Sequence, residues 1–498
     1  MTIDTQKRII KYGIQVDDLS AAGKYDELHF LLQEMQAFSE NDEEAKTDAG
    51  LFYFMGTGFD VYADYLIRTG KAQTDSDVIE FQRISMVCYR KAITVYDQTK
   101  YADRLDLRIY TNYANLLLSV GRVIEALHYY RIALHSESGF SMARGNYGRS
   151  LKFLANIVND SGHHQELHCY AYQAIRAALS DRDIDMHEQA ASVFQEIIDE
   201  YESLPTRDIV RQPIVFKEYP LGDSEESSYR RWCLHNHLFL NPLNEVMQEE
   251  SAFAHDPLTI SSFTEDINNS DAISGSPAEP PRWFAMLNQL KEEYVYSRYL
   301  CFEGTCRIAD IHYADKDANL SLASYDYSKY SIRIERVKAA YRILYSMLDK
   351  ICFFVNDFWR LGLPQDKVSA RRICNAQNYP KDNLALTSLY WILCEFYEVY
   401  GEEAAAPDND LVSLRHALEH KFVKVHEGEW SRKLQYESDH FFHISENDLS
   451  AHTLRLLRII REALMYLVYA IEIDENRKAK TGKAVPMYLT DYPDSFKL

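Results

Sequence analysis

Hydrophobic positions in the carboxy-terminal half follow the three-and-four spacing of packed α-helices. Between Ser328 and Leu361 apolar residues recur at this spacing throughout, which predicts one long helix. Residues Leu384–Tyr400 are apolar on nearly every side, and Gly401 is a natural helix C-cap. A third predicted helix presents one apolar stripe, made of Leu411, Leu414, Leu418, Phe422 and Val425. A fourth covers Leu454–Ile473, and four such helices predict a bundle.

The amino-terminal part, residues 1–205, has the pattern of short helices in pairs. Gly121 interrupts the clearest pair where two antiparallel helices would turn, and the small Ala114 and Ala126 fit a close helix crossing. This pattern resembles a tetratricopeptide repeat, whose period is about 34 residues, and Tyr147–Gly148 fits the next unit. A generic helical array without a specific ligand is the alternative. Either way, stacked helical pairs form a concave surface that suits a protein or peptide partner.

Proline-rich and polar stretches divide the chain. We predict a tetratricopeptide-like repeat domain at 1–205 and a linker and accessory segment at 206–282. Within the accessory segment, Ser261–Pro281 is rich in Ser, Asn, Asp, Gly and Pro, which predicts a mobile insertion. The helical bundle is predicted at 283–475 and a basic tail at 476–498. The predicted fold class is therefore all-α, with a repeat array followed by a four-helix bundle with insertions.

Composition narrows the possible classes of protein. The 498 residues include 75 acidic and 54 basic side chains, and the net charge of −21 disfavours non-specific wrapping of nucleic acid. With 18 Gly and 13 Pro, the chain has few turn-forming residues for a many-stranded β protein. The longest strong apolar run, Ala463–Ile471, is shorter than the roughly 20 residues that cross a bilayer. Eight scattered cysteines without a Cys-x-x-Cys pair predict free thiols, no structural metal, and a cytoplasmic location without membrane attachment.

The third helix contains the candidate chemistry, because Arg415 and His420 form an Arg-x4-His pattern. This spacing occurs three more times in the chain, so the pattern alone is weak evidence. At 100° per residue, His416 and His420 point away from the apolar stripe and Arg415 lies on its flank. A neutral histidine can take the proton from a ribose 2′-hydroxyl, and an arginine can stabilise the growing phosphate charge. These residue types predict RNA cleavage without a metal.

The long amphipathic helix, the apolar helix and the helix with Arg-x4-His together resemble the HEPN superfamily (higher eukaryotes and prokaryotes nucleotide-binding). The blocks Tyr229–Asn244, His312–Asp317 and Phe353–Asn356 are similar to a bacterial subfamily that has tetratricopeptide repeats ahead of this domain. The resemblance covers roughly residues 225–475. It implies a metal-independent ribonuclease without a cofactor, whose site forms between the bundles of a homodimer or higher homo-oligomer. It also implies a role as a toxin or in phage defence. The pairing of the two domains predicts that the repeats hold the enzyme inactive or sense a trigger.

The resemblance assigns roles to individual residues. The predicted catalytic residues are Arg415, His420 and His416, the last at a position that is often Asn in the family. The predicted supporting residues are Asp349, Asn356 and Glu419. Local basic residues offset the acidic net charge, and the predicted RNA contacts are Arg371, Arg372, Lys421 and Lys424.

Two other classes of function remain open at this point. The bundle can be a non-catalytic adaptor or a nucleotide-binding module, with Arg415 forming only a surface ion pair with Glu419. Residues His416–His420 also match the His-x-x-Glu-His pattern of inverted zinc proteases, in which two histidines bind metal and Glu419 acts as the base. A chelator distinguishes the two enzymes, because EDTA inactivates a zinc protease and does not affect the predicted ribonuclease.

Overall fold

A computed structural model of the chain describes residues 2–71, 75–99, 105–135, 140–182, 186–212, 221–246, 253–265, 282–306, 312–317, 328–396, 409–427, 440–480 and 483–486. The chain divides into two compact units, one formed mainly by residues 1–215 and the other mainly by residues 216–498. The four-part division predicted from the sequence stays a prediction.

The first unit is helical. Its helices are α1 Ile3–Ala21, α2 Tyr25–Asn41, α3 Ala49–Thr69, α4 Asp75–Thr99, α5 Leu105–Ser119, α6 Val123–Leu134, α7 Ser141–Ile157, α8 Ser161–Ser180, α9 Glu188–Ser203 and α10 Arg207–Arg211, with a 3₁₀ turn at Ala45–Thr47. Capping residues define several boundaries. The Asp48 carboxylate accepts the Leu51 N–H at 2.7 Å where α3 begins, and Gly70 ends α3 in the left-handed conformation.

Helices α5 and α6 form the pair that the sequence predicts. Gly121 lies between them with φ of 87°, a conformation that glycine adopts without strain. Ala114 and Ala126 are fully buried, as a close crossing requires. In the next helix a side chain at Gly148 would approach the Ile175 side chain within 2.6 Å. These contacts fit paired helices, while the 34-residue repeat itself stays a prediction.

The second unit contains seven further helices in the part of the chain that the structure describes. They are α11 Glu225–His235, α12 Arg282–Thr305, α13 Ile332–Phe358, α14 Ala370–Cys374, α15 Leu384–Phe396, α16 Asn409–His420 and α17 Glu446–Ala479. Short 3₁₀ turns occur at Pro242–Glu245, Tyr313–Asp315 and Gln365–Lys367. The strands β1 Ser262–Glu265 and β4 Lys483–Pro486 pair antiparallel, and β2 Phe422–His426 and β3 Phe441–Ser445 pair parallel.

Helix α17 forms the centre of this unit, because its residues Ile459–Ile471 are all buried. Helices α12, α13, α15 and α16 pack against it. The Ser331 hydroxyl caps α13 by accepting the Arg333 N–H at 3.0 Å, and Ser445 caps α17 by accepting the Asp448 N–H at 2.9 Å. The all-α class is confirmed, and α12 adds a helix to the four that the hydrophobic pattern predicts. Among the described helices, none has the length and apolar character needed to cross a membrane.

The prediction for the third helix is wrong at its carboxyl end. The helix stops at His420, and the last two members of its predicted stripe, Phe422 and Val425, belong to strand β2. The segment Phe-Val-Lys-Val-His has an aromatic and two β-branched residues, which favour strands, and Phe441–Ser445 supplies a partner strand. The predicted helix end at Gly401 lies outside the described residues, as does most of the predicted insertion, residues 266–281.

The aromatic block Tyr229–Asn244 has a structural role, because two buried arginines bind its backbone. Arg298 donates to the Leu238 carbonyl at 2.8 Å and forms two hydrogen bonds with Asp256, at 2.8 and 3.0 Å. Arg461 donates to the carbonyls of Phe239 and Asn241 and pairs with Glu245. Arg461 belongs to the predicted fourth helix, and its side chain is only 2% exposed.

Charge pairing also sets the ionisation of Asp256. Burial by itself raises the pKa of this carboxyl group, but the Arg298 guanidinium and the Leu240 N–H lower it further than burial raises it. The net result is a pKa below the ordinary value, so Asp256 stays charged opposite Arg298.

Candidate active site

Helix α16 is fixed to α13 through its apolar face. Leu411, Leu414 and Leu418 are at most 4% exposed. Two side chains of α13 donate hydrogen bonds to backbone carbonyls of α16. The Tyr341 hydroxyl donates to Leu411 and the Arg342 guanidinium donates to Leu418, both at 2.6 Å. The opposite face of α16 therefore points outward.

The outward face contains the Arg-x4-His pattern. Arg415, His416, Glu419 and His420 are all exposed. The His416 and His420 rings lie one helical turn apart, with centroids 4.9 Å from each other and planes inclined by 56°. The two imidazoles are thus within reach of the same bound molecule. Their catalytic roles stay predictions.

The Arg415 side chain lies over an aromatic ring of α13. Its guanidinium carbon is 5.4 Å from the ring centroid of Tyr345, which is the geometry of a cation–π contact. Burial raises the pKa of Tyr345 to about 12, with Arg415 acting to lower it and Asp349 to raise it. The predicted supporting residue Asp349 is therefore electrostatically coupled to the same ring as Arg415.

The other two predicted supporting residues have visible structural contacts. The Glu419 carboxylate lies 3.8 Å from the Arg342 guanidinium on α13. The Asn356 amide donates to the Leu363 carbonyl at 2.9 Å, and its oxygen accepts the Leu363 N–H at 3.0 Å. Asn356 therefore closes the turn that follows α13, and a part in the reaction stays a prediction for both residues.

The predicted RNA contacts fall on two surfaces. Arg371 and Arg372 are exposed on α14, which packs against α13 and α15. Lys421 and Lys424 instead follow α16 directly, and both line a groove of about 250 Å³ formed by residues of α13, the end of α16, β2 and β3. The same groove is lined by two more cations and three exposed aromatic rings, which are Lys338, Arg342, Tyr330, Phe422 and Phe441.

The sequence reasoning missed these five groove residues. It assigned Phe422 to a buried helical stripe, although the ring is 70% exposed. Apolar and polar residues alternate from Val423 to His426, which is the pattern of a strand, and in a strand Phe422 lies on the same side as Lys424 and not with Val425.

The zinc-protease alternative requires a further ligand beside His416 and His420. Among the described residues, no cluster of three or more His, Cys, Asp or Glu side chains has the geometry to hold a metal ion.

The bundle of α12, α13, α15, α16 and α17, with an exposed Arg-x4-His helix, defines the class of domain. Residues 274–474 match the family model of the LA2681-like HEPN domains, and this part of the chain is such a domain. Searches of curated proteins and of solved structures gave no match. The HEPN resemblance is thereby confirmed, and it indicates an RNA-related or nucleotide-related function in a family that oligomerises.

Proposed function

We propose that this protein is a metal-independent RNA endonuclease whose active site lies on the outward face of α16. One observation carries the proposal. In a HEPN domain, the exposed Arg415 lies over Tyr345 at the flank of the same helix that presents His416 and His420 outward. The guanidinium of Arg415 and the two imidazoles belong to a helix rather than to a loop, and a helix is rigid enough to hold a preorganised site.

The proposed reaction uses a nucleophile that RNA itself supplies. The 2′-oxygen attacks the adjacent phosphorus while the bond from phosphorus to the 5′-oxygen breaks. A neutral histidine takes the 2′-hydroxyl proton, and a protonated one gives a proton to the departing 5′-oxygen. Arg415 holds the non-bridging oxygens as their charge grows. The products are a 2′,3′-cyclic phosphate and a 5′-hydroxyl.

A second copy of the chain fits the open side of this site. In-line displacement places the attacking and leaving oxygens on opposite sides of the phosphorus. The reaction is therefore helped by a proton acceptor on one side and a proton donor on the other. The outward face of one α16 supplies only one side. We therefore propose that two copies place their α16 faces across a shared cleft, as the HEPN resemblance implies.

An assay on total RNA tests the proposal. Wild-type protein should cut RNA equally well with and without EDTA, because no step requires a metal. The new ends should accept label directly from polynucleotide kinase, since they carry 5′-hydroxyls. A matched substrate with 2′-O-methyl groups should resist cleavage. Cleavage that requires an added divalent metal, or that leaves 5′-phosphates, would contradict the mechanism, and no cleavage at all would favour the adaptor.

Tyr345 should act as a positioning residue through its ring. Because the ring face rather than the hydroxyl contacts Arg415, Tyr345→Phe should retain full cleavage activity. Tyr345→Leu should lower kcat by about 2- to 30-fold, the range of a partly desolvated cation–π contact, with little change in KM. Single-turnover and steady-state kinetics of the two variants measure the difference. A purely structural role for the ring would instead lower thermal stability without this selective loss in kcat.

Four expectations from the sequence go beyond this site. They are regulation by the amino-terminal unit, a protein or peptide partner on that unit, toxicity or phage defence, and RNA contacts at Arg371 and Arg372. All four stay predictions.

A further inference from the structure

The groove beside α16 combines exposed aromatic rings with cations on one strand face. Phe422 pairs with Phe441 in the parallel register of β2 and β3, and their ring centroids are 5.8 Å apart. The Lys424 ammonium lies 4.5 Å from the Phe441 ring centroid, so one face of that ring is occupied. Phe422 remains 70% exposed, which leaves its ring open to a flat ligand.

The charge of the groove favours an anionic ligand. Among the described residues that line it, four are cationic and one, Glu335, is a carboxylate. Glu335 lies 2.8 Å from Lys338, which reduces the positive charge there. Lys421 and Lys424 lie one residue before and two residues after Phe422, and both line the same groove. The cations and the exposed ring therefore belong to one groove.

The groove adjoins the end of the motif helix along the chain. Helix α16 ends at His420, and Phe422 begins β2 two residues later. Two residues span at most about 7 Å of chain, so the backbone of Phe422 lies within about 7 Å of the backbone of His420.

We propose that this groove binds single-stranded RNA, with one base stacked on Phe422 and the flanking phosphates on Lys421 and Lys424. The inference rests on the proposed function and names the substrate class of the same site. Bases in a duplex are already stacked on their neighbours, and the faces of unstacked bases in single strands are free to meet an aromatic ring. An open ring between lysines therefore selects single strands.

Binding measurements with a cleavage-deficient protein test the inference. The probe is a fluorescent oligoribonucleotide of about 12 nucleotides, alone or annealed to its complement, and the protein carries R415A and H420A to prevent cleavage. Adding Phe422→Ala should weaken binding of the single strand by about 5- to 150-fold, whereas Phe422→Trp should retain it. Phe30→Ala is the matched control, because that ring is 71% exposed in the other unit and should not affect binding. Lys421→Ala should lower the slope of log affinity against log salt by about 0.7.

The outcomes separate this inference from the proposed function. Equal affinity of the Phe422→Ala and parent proteins overturns the inference, while cleavage by the wild type still supports the endonuclease. Binding that depends on Phe422, without any cleavage by the wild type, overturns the endonuclease instead. If the Phe422→Ala protein no longer forms the oligomer in sedimentation experiments, the groove is an interface between copies of the chain. This result would also overturn the inference. Tighter binding of the duplex than of the single strand contradicts it as well.

Discussion

His420→Ala should lower the rate of RNA cleavage by about 10²- to 10⁴-fold, the usual contribution of a positioned general acid or base. Arg415→Ala should lower it by about 10²- to 10³-fold, as expected when a donor to a developing negative charge is lost. The double variant should cleave RNA only slightly more slowly than the less active of the two single variants, because both side chains act on one transition state and their effects are not additive. Single-turnover rates on a labelled RNA measure all three.

The chain offers a matched control with the same residue types at the same spacing. Arg182 and His187 also form Arg-x4-His, but Arg182 is engaged by Glu188 at 2.6 Å and lies in the amino-terminal unit. Arg182→Ala with His187→Ala should leave the cleavage rate unchanged. Arg415 and His420 are exposed, so their substitution should preserve the circular dichroism spectrum and the melting temperature. If the Arg415→Ala, His420→Ala double variant cleaves RNA at the wild-type rate, as the control double variant should, the active site lies elsewhere.

The orientation of α16 could be predicted from the sequence because it depends on local spacing. Leu411, Leu414 and Leu418 define a stripe that has to be buried, and this fixes the opposite direction for His416 and His420. The family resemblance then distinguished this Arg-x4-His from the three others. Neither step required knowledge of a distant contact.

The groove could not be predicted because it depends on pairing between separate segments. Phe422 and Val425 continue the helical spacing of α16, and only the pairing with Phe441–Ser445 turns that segment into a strand. Helical periodicity and strand alternation are hard to separate over five residues. The exposed ring of Phe422, and with it the cationic groove, follows from that pairing.

The burial of Arg461 was equally hidden, because an arginine in an amphipathic helix is ordinarily solvated. Its partner Glu245 lies 216 positions away in sequence, and the carbonyls it binds belong to a loop without helical periodicity. The hydrogen bonds by which Arg461 holds the aromatic block could therefore be identified only from the three-dimensional structure.

Arg461→Ala should destabilise the second unit by about 3–5 kcal/mol, because it leaves the buried Glu245 without its counter-charge. Both side chains are at most 2% exposed, so water cannot replace the lost contacts. Glu245→Ala should have an effect of similar size, and the double variant should lose less than the sum, since neither charge then remains buried alone. The five tryptophans, of which Trp232 is the first, all belong to this unit. Their fluorescence during urea unfolding therefore reports its stability selectively.

An exposed ion pair on the same helix is the control for this measurement. Arg477 lies 2.7 Å from Asp382, but the two side chains are 46% and 75% exposed. Arg477→Ala should therefore change the free energy of unfolding by no more than about 1 kcal/mol. If Arg461 anchors the loop, Arg461→Ala must lower the free energy of unfolding by clearly more than Arg477→Ala does. If Arg461→Ala unfolds at the same urea concentration as Arg477→Ala, Arg461 does not stabilise the loop of residues 237–245, and the contacts of this loop with Arg298 and Asp256 are sufficient to hold it.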